Sequence, residues 1–337
     1  MMRLAARLRF MFGAFVLAGF IALAAPAHAQ QQSPIIDPTT SVVNEQTLLR
    51  ELPRIQGDID QLDPRARVLE QPAGRVWDHF HEVTLLWVGA IVIVGTLAAL
   101  AAAYLILGRL RISAGRSGRK VPRFKAFERF AHWLTAVSFV VLGITGLNIT
   151  FGKHLLLPLV GYDAFSVLSE AAKYVHNFTS FAFVIGLVLI IAIFFKDNIL
   201  DKTDIEWFRQ GGGFIKSKHA PARRFNAGEK LVFWGALGAG LLVSVSGYLL
   251  LFPFYVTDIA GMQVAQAVHA LIAVLFVALI LAHIYIGTLG MEGAFEAMRT
   301  GEVDYNWAKE HHDLWLDDER AKHAAGPPRY PSATPAE

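Results

Sequence analysis

Four histidines of this 337-residue chain could do chemistry, because each lies in or beside a long apolar stretch: His132, His176, His269 and His283. Imidazole nitrogens are frequent metal ligands, and a polar ring in hydrocarbon needs a partner. The last two rings are 14 positions apart in the run VHALIAVLFVALILAH. In an α-helix that spacing places both on one face, about 21 Å apart along the axis. The neighbours of that face therefore decide what the histidines do.

The composition is that of a membrane protein, with 54% hydrophobic and only 18% charged residues. There is no cysteine, which excludes disulfides, thiolate-held iron–sulfur clusters and cysteine nucleophiles within this chain. The net charge is +3, but the basic residues cluster in particular loops. That distribution indicates membrane topology, with lipid and not nucleic acid as the partner.

The N-terminal region predicts export. Residues 1–29 combine early arginines, a short apolar run from Phe10 to Ala24 and the sequence Ala-His-Ala, as in a cleaved signal peptide. An uncleaved first membrane helix is the alternative, although the run is short for a span. Residues 30–80 are polar and contain five prolines, so we expect an extended exported segment.

Five later stretches are long and apolar enough to cross a bilayer, which takes about 20 residues each. We name them the leading span and spans one to four. Their approximate limits are 83–107, 131–151, 176–195, 231–251 and 264–288. The leading span belongs to a predicted extra transmembrane helix over residues 81–108.

Basic residues alternate between the loops. Seven Lys or Arg residues lie between positions 109 and 125, and eight lie between positions 196 and 230. The loop between spans one and two has only Lys153 and Lys173, and none lies between spans three and four. Since basic loops stay in the cytoplasm, residues from Gln30 should start outside and the C-terminus should be inside.

This topology assigns each histidine a depth. His132 and His283 lie near the cytoplasmic edge, while His176 and His269 lie near the exported edge. Two histidines at one depth on two helices are what a haem b needs, because one imidazole binds the iron from each side. We therefore predict two haems b with His132, His176, His269 and His283 as ligands of the haem iron. The alternative for any single histidine is a hydrogen bond to a neighbouring helix.

Two glycines on span one support a flat cofactor. Gly143 and Gly146 lie 11 and 14 residues beyond His132, on nearly the same helical face. Missing side chains there would let a macrocycle approach, although small residues also serve bare helix packing.

The other histidines fit this site less well. His79 and His81 suggest an interfacial aromatic cluster more than a metal site. His154 is expected in an exported loop and His219 in a basic one. His311 and His312 follow the last span, and the sequence offers them no partner. None of these is included in the predicted site.

Four stretches resemble one known family. They are FERFAHWLTAVSFVVLGITGLNITFG, AAKYVHNFTSFAFVIGLVLI, RRFNAGEKLVFWGALGAGLLVSVSGYLL and the run from QAVHALIAVL through GMEGAFEAMRTGEVDYNWAKEHHDLW. In order, they are similar to the four-helix core of the cytochrome b, or gamma, subunit of respiratory formate dehydrogenase. The resemblance covers about residues 124 to 316, and its last motif is the most specific.

The resemblance implies a fold and a division into domains. The fold would be an all-α integral membrane protein, a four-helix di-haem cytochrome b bundle preceded by one extra transmembrane helix and a signal peptide. The bundle would occupy residues 124–300, and residues 301–337 would form a cytoplasmic tail. The location implied is the bacterial inner membrane.

The resemblance also implies a role and partners. Electrons from a molybdenum or tungsten pterin in an alpha subunit would pass through an iron–sulfur beta subunit to this chain. The two haems would deliver them to menaquinone or ubiquinone, so this subunit carries electrons while formate is oxidised elsewhere. The implied quinone site lies beside the cytoplasmic haem, with the residues Asn226, Gly228, Glu229 and Lys230.

Three rival functions are open on sequence. A cytochrome b subunit of a nickel–iron hydrogenase, or of a thiosulfate-type reductase, would keep the haems and change the partner. A bc-type cytochrome b would carry two histidines on each of two helices, but position 190, fourteen after His176, is an isoleucine. A transporter would use the histidines as proton relays and should carry acidic residues in its spans, whose centres have none.

The loop charges predict a test of orientation. A reporter enzyme that works only in the periplasm, fused after Glu337, should be silent, because an odd number of spans follows an exported start. The same reporter fused in place of residues after Val256 should be active. Activity of the C-terminal fusion would contradict the topology and the pairing of histidines by depth.

Overall fold

The computed structural model describes residues 72–212 and 220–325. The predicted signal peptide, most of the predicted exported segment, His219 and the last twelve residues lie outside these ranges. Within them the chain is almost entirely helical. In chain order the elements are α1 Pro72–His79, a π-helical turn Phe80–Thr84, α2 Leu85–Leu107, β1 Lys120–Pro122, α3 Ala126–Leu155, α4 Leu157–Phe194, a 3₁₀ turn Lys196–Asn198, α5 Lys202–Arg209, α6 Ala227–Leu251, α7 Ile259–Tyr285, a π-helical turn Ile286–Gly290, α8 Ala294–Thr300, β2 Glu302–Asp304, α9 Tyr305–His311 and α10 Asp313–Ala325.

The five predicted spans are confirmed as helices. In the described part of the chain, five helices are long and apolar enough to cross a membrane. They are α2, α3, α4, α6 and α7, and the π-helical turns extend the first and last of them. This is the predicted all-α membrane fold, with the extra helix α2 before the four-helix bundle.

The prediction of a loop between spans one and two is wrong, because this segment is helical. The helix α4 begins at Leu157, directly after α3, and runs through the region predicted as loop, with a break at Gly161 where φ is +79°. His176 therefore lies inside α4 and does not open it. His154 lies in the last turn of α3. The sequence analysis missed the first part of α4 because that segment is too polar to count as a membrane span, although its residues are compatible with a helix.

The bundle consists of two closely packed helix pairs, α3 with α4 and α6 with α7, and α2 packs against α7. Glycines allow the close approaches. A Cβ on Gly186 of α4 would lie 3.0 Å from the backbone of Thr135 on α3. A Cβ on Gly89 of α2 would lie 2.8 Å from the Phe151 ring. Without a hydrophobic driving force in lipid, such contacts supply the attraction between helices.

The C-terminal region is folded onto the end of the bundle at which α3 and α6 begin. There β2 pairs with β1 in antiparallel register, Val303 opposite Val121. Val303 and Ala308 are fully buried, and Trp307 is 3% exposed. We call residues 291–325 together with β1 the tail cap, and the bundle end that it covers the capped end.

Ion pairs connect residues 291–325 of the tail cap to the segment between α2 and α3, which includes β1. Arg116 contacts Glu292 and Glu296, and Lys120 also contacts Glu296. Hydrogen bonds from Arg116 hold the pKa of Glu292 below its usual range. These partly exposed pairs contribute little each, so the buried aromatic core carries the attachment.

The α3–α4 contact predicts an effect on stability. Gly186→Ala places a methyl group against the Thr135 backbone, and overpacking of this kind typically costs about 1–3 kcal/mol. Thermal unfolding in detergent should therefore shift to lower temperature. Gly238→Ala on α6 is the control, because its Cβ would meet no atom within 4 Å. Equal stability of the two variants would contradict the close helix contact.

Candidate functional site

The structure brings the four histidines together in two pairs. The rings of His132 on α3 and His283 on α7 have centroids 6.2 Å apart. The rings of His176 on α4 and His269 on α7 are also 6.2 Å apart. The helix α7 thus contributes one histidine to each pair, and the pairs lie at opposite ends of the bundle.

This separation fits one iron between two imidazoles. A metal–nitrogen bond is about 2 Å, and the bound nitrogen lies about 1 Å from its ring centre, so two rings ligating one metal have centres about 6 Å apart. Both pairs meet that requirement without any rearrangement. Among the described residues no group of three or more metal-ligating side chains occurs, so the four histidines suit a metal whose other ligands come from a macrocycle.

Hydrogen bonds fix the tautomer of two of the rings. Nδ1 of His269 lies 3.0 Å from the carbonyl oxygen of Val243, which can only accept, so Nδ1 carries the proton. Nδ1 of His176 lies 2.9 Å from Oγ1 of Thr145, whose own hydroxyl donates to Val141 O. In both rings Nε2 is then left with a lone pair for a metal, the arrangement found in most metal-bound histidines.

A hydroxyl residue followed by glycine supports each of these two rings. Thr145 and Gly146 on α3 face His176, and a Cβ on Gly146 would lie 3.4 Å from Cε1 of that ring. Ser246 and Gly247 on α6 do the same for His269: Oγ lies 3.2 Å from Nδ1, and a Cβ on Gly247 would lie 3.0 Å from Cε1.

The glycine prediction is therefore refined. Gly146 makes room for an imidazole, whereas a Cβ on Gly143 would meet only Val277, at 3.9 Å. The sequence analysis did not identify Ser246 or Gly247. The signal was available, because GITG on span one and SVSG on span three carry the same hydroxyl-glycine pair.

The pair at the capped end is held differently. Nδ1 of His132 is buried and has no hydrogen-bond partner within residues 72–212 and 220–325. The neighbouring Trp133 stacks edge-on to the His132 ring at 5.3 Å and donates to Met298 O in the tail cap. The tail cap therefore contacts the helical turn that carries His132.

An aromatic layer separates the two pairs. Phe276 is seven residues from each of the two histidines on α7, and its ring lies 4.5 Å from Phe139 on α3 and 6.2 Å from Phe183 on α4. Phe183 and Phe276 are each 3% exposed. These three side chains carry no polar atom, so the layer itself presents only apolar surface between the two pairs.

The first turn of α6 holds the residues predicted for quinone. Oδ1 of Asn226 accepts from the Glu229 amide at 3.0 Å, and Glu229 accepts in return from the Asn226 amide at 2.9 Å. This is a capping box, in which both side chains satisfy backbone groups of the helix start. The capping bond uses only the side-chain oxygen Oδ1 of Asn226. The side-chain nitrogen Nδ2 is left as a donor.

The other two predicted residues are packed against α5. Lys230 is 1% exposed and donates to Asp204 at 2.8 Å and to the carbonyl of Ile199 at 3.0 Å. The ring of Trp207 covers Gly228 so closely that a Cβ there would lie 3.0 Å from it. Lys230 is therefore occupied in a buried ion pair that fixes α5 at the start of α6.

His312, for which the sequence offered no partner, is fully buried beside Glu229. Its Nδ1 donates to the carbonyl of Arg223 at 2.9 Å, and its Nε2 lies 3.6 Å from Oε2 of Glu229. The tail cap folds back onto the start of α6 and thereby gives His312 these two neighbours, which the sequence did not reveal. His79 and His81 lie at the N-terminal end of the described chain, and His81 stacks on Trp77 at 5.9 Å.

The four bundle helices, both histidine pairs and part of the tail cap lie within residues 123–301, which match the family model described as prokaryotic cytochrome b561. The chain belongs to the prokaryotic cytochrome b561 family. The family is one of b-type cytochromes, so the cofactor that it implies is haem b. The helices α1 and α2 of this cytochrome lie outside the match.

Curated relatives of this cytochrome are formate dehydrogenase subunits by name. The cytochrome b556(fdo) subunit of Escherichia coli formate dehydrogenase is 28% identical over 204 residues, 59% of this chain and 93% of the relative. The cytochrome b556(Fdn) subunit of the nitrate-inducible enzyme of Escherichia coli is 26% identical over 58% of this chain and 90% of the relative. The Haemophilus influenzae formate dehydrogenase cytochrome b556 subunit is 26% identical over 59% and 84%, respectively.

Proposed function

We propose that this chain is the membrane cytochrome b subunit of a formate dehydrogenase and passes electrons from formate to quinone. The proposal rests on two histidine pairs whose ring centroids are each 6.2 Å apart, in a member of a b-type cytochrome family. One histidine of each pair lies on α7. The names of the relatives favour formate dehydrogenase over the nickel–iron hydrogenase alternative.

In this proposal the chain holds two haems b. His176 and His269 bind one, and His132 and His283 bind the other. When bound, haem accepts and releases single electrons without a change in its protein ligands. The chain's own part is to hold the four imidazoles in place, with Val243 and Thr145 fixing two of them by hydrogen bonds.

Formate oxidation belongs to partner subunits. The chain has no cysteine and therefore no ligand for an iron–sulfur cluster. We propose an iron–sulfur beta subunit and a molybdenum or tungsten pterin alpha subunit on the exported side, where the His176 and His269 pair lies. The capped end then faces the cytoplasm, which agrees with the basic loops at that end.

The quinone is proposed to bind at the capped end, between His283 and the first turn of α6. Asn226, Gly228 and Glu229 lie in that turn, and the unused amide donor of Asn226 could bind a quinone carbonyl. Glu229 is 37% exposed as a side chain, which leaves it accessible to a ligand. Lys230 contributes by its ion pair with Asp204, which holds α5 beside the site.

The haem assignment predicts stoichiometry. The isolated, fully loaded chain should contain two haems b by pyridine haemochrome analysis, both six-coordinate and low-spin. His176→Ala or His269→Ala should reduce the content to about one, because each removes one ligand of a single pair. His154→Ala is the control, since that residue belongs to neither pair, and it should retain both haems. One haem or none in the wild-type protein would contradict the assignment.

The quinone assignment predicts the effect of Asn226→Asp. Asp keeps the capping oxygen and is an equally good N-cap, so the helix start is preserved while the amide donor is lost. Removing one donor to a reacting oxygen costs on the order of 10²-fold in rate, so formate-to-quinone turnover should fall markedly. Formate reduction of an artificial dye should be unchanged.

The control for Asn226→Asp is the reverse exchange at the other end of the bundle. Asp258 caps α7 by accepting from the Gly261 amide at 2.9 Å, and Asp258→Asn should leave quinone turnover intact. Stopped-flow spectra report reoxidation of the reduced cytochrome by added quinone. Reoxidation at the wild-type rate in Asn226→Asp would place the quinone elsewhere.

A further inference from the structure

The tail cap places a fully buried imidazole against the proposed quinone site. His312 lies between α9 and α10 and has 0% exposure, and its two nitrogens face different partners. Nδ1 donates to Arg223 O at 2.9 Å, and Nε2 faces Oε2 of Glu229 at 3.6 Å. The distance exceeds that of a hydrogen bond, so the two atoms are adjacent without a bond between them.

The protonation of this imidazole follows from its surroundings. A carbonyl only accepts, so the Arg223 oxygen fixes a proton on Nδ1. Burial, and next the nearby Arg123 guanidinium, hold the pKa of His312 well below its usual range. The ring is therefore neutral at rest, and the lone pair of Nε2 faces the Glu229 carboxylate.

Arg123 balances the charge of that carboxylate. Its side chain is 1% exposed, and Nη2 donates to Oε1 of Glu229 and to the carbonyl of Arg224, each at 3.0 Å. The guanidinium stacks over the rings of Trp307 and Trp315, at 5.0 and 5.5 Å. The cluster thus holds one positive and one negative charge beside a neutral base.

The cluster also concentrates unused hydrogen-bonding capacity. Seven buried side-chain nitrogen or oxygen atoms lack a hydrogen-bond partner in the described part of the chain, and four of them are here. They are Nε and Nη1 of Arg123, Nε1 of Trp307 and Nε2 of His312. Buried polar atoms without a partner are rare in folded proteins, so four of them in one cluster mark it as a candidate functional site.

We propose that His312 and Glu229 form a proton-holding pair that supplies protons to quinone. This inference rests on the proposed function, because it requires quinone to bind at the first turn of α6. The proton is held between Nε2 and Oε2, the two lone-pair atoms that face one another. Glu229 contacts the quinone and delivers the proton, while His312 acts through Glu229 as a positioning residue that stabilises the loaded state.

Reduction of a quinone to a quinol takes two electrons and two protons. Two electrons that the complex takes from formate reduce the quinone, and each negative charge on the quinone draws one proton to it. The O–H bond of the loaded Glu229 breaks, and a new O–H bond forms on a quinone oxygen. The pair then takes its next proton from cytoplasmic water, so two cycles give the quinol. General acid catalysis of this kind contributes about 10²–10⁴-fold to a rate.

The charged and titratable groups around the pair come from three directions. Arg123 precedes α3, and His311 lies beside His312 on α9. Arg224, which precedes α6, is the third group and is paired with Glu128 and Asp197. Proton affinity of the pair is therefore set by Arg123, which opposes a positive charge on His312, and by Glu229, which favours one.

The test uses His312→Asn and Glu229→Gln in the complete complex. Asn can keep the donation to Arg223 O. Gln keeps one oxygen that can accept the capping bond from the Asn226 backbone N–H but gives up the acceptor for Arg123. Neither side chain can hold the proton. Quinone reduction by formate should fall about tenfold or more in each, with the loss increasing as pH rises and protons become scarcer. The double variant should be no slower than the worse single variant, because both remove one function.

Three measurements accompany the rates. The haem content and formate-driven haem reduction should equal those of the wild type, and the solvent isotope effect of quinone reduction should increase in the variants. Asp317→Asn on the exposed surface of α10 is the control and should match the wild type in all of them.

Wild-type quinone rates in His312→Asn would overturn the pair. A loss of quinone reduction rate that is equal at every pH, with an unchanged isotope effect, would also overturn it. That pattern is expected if His312 only holds the tail cap in place. Both results leave the proposed function intact, provided that the wild-type complex reduces quinone. A wild-type complex that reduces its haems with formate but never reduces quinone would overturn the proposed function itself, and this inference with it.

Discussion

An imidazole in hydrocarbon needs a partner for both of its nitrogens, and the bundle is arranged around that need. Each of the two rings at the uncapped end has Nδ1 satisfied by a neighbouring helix, from Thr145 on α3 or Val243 on α6. Each therefore presents Nε2 to the other side, where only a metal or a donor can satisfy it. Glycines beside these hydroxyl residues allow the helices to come close enough for the contact, so ligand geometry and helix packing have the same cause.

The capped end is arranged around charged side chains instead. Its polar groups are not eliminated but are paired across elements distant in sequence: Arg123 with Glu229, and Lys230 with Asp204. The cations Arg123 and Lys230 are each 1% exposed, so removal of the carboxylate partner of either one would leave a buried charge uncompensated and destabilise the fold. The rings of Trp307 and Trp315 in the tail cap cover the Arg123 guanidinium, whose side chain is 1% exposed.

Sequence patterns predicted much of this molecule. The five spans follow from length and apolarity, and the histidine pairs follow from depth, since membrane thickness leaves few ways to match four rings. The tail cap was not predictable, because its contacts join residues such as Arg123 and Trp307 across 184 positions, and no local periodicity records them. The helical segment that begins at Leu157 was missed because hydropathy identifies only the residues that cross the hydrocarbon region. It does not show whether a helix continues beyond that region.

The two ends differ in what they allow to move. The layer of Phe139, Phe183 and Phe276 consists of apolar rings in contact between the two histidine pairs, and these three side chains contribute no group to a hydrogen-bond chain. In the proposed function, protons reach the quinone at the capped end from that side of the membrane, and electrons enter at the other end. Each turnover would then move negative charge inward and consume protons inside. The sequence separation of 14 residues between His269 and His283 is what sets the thickness of that barrier.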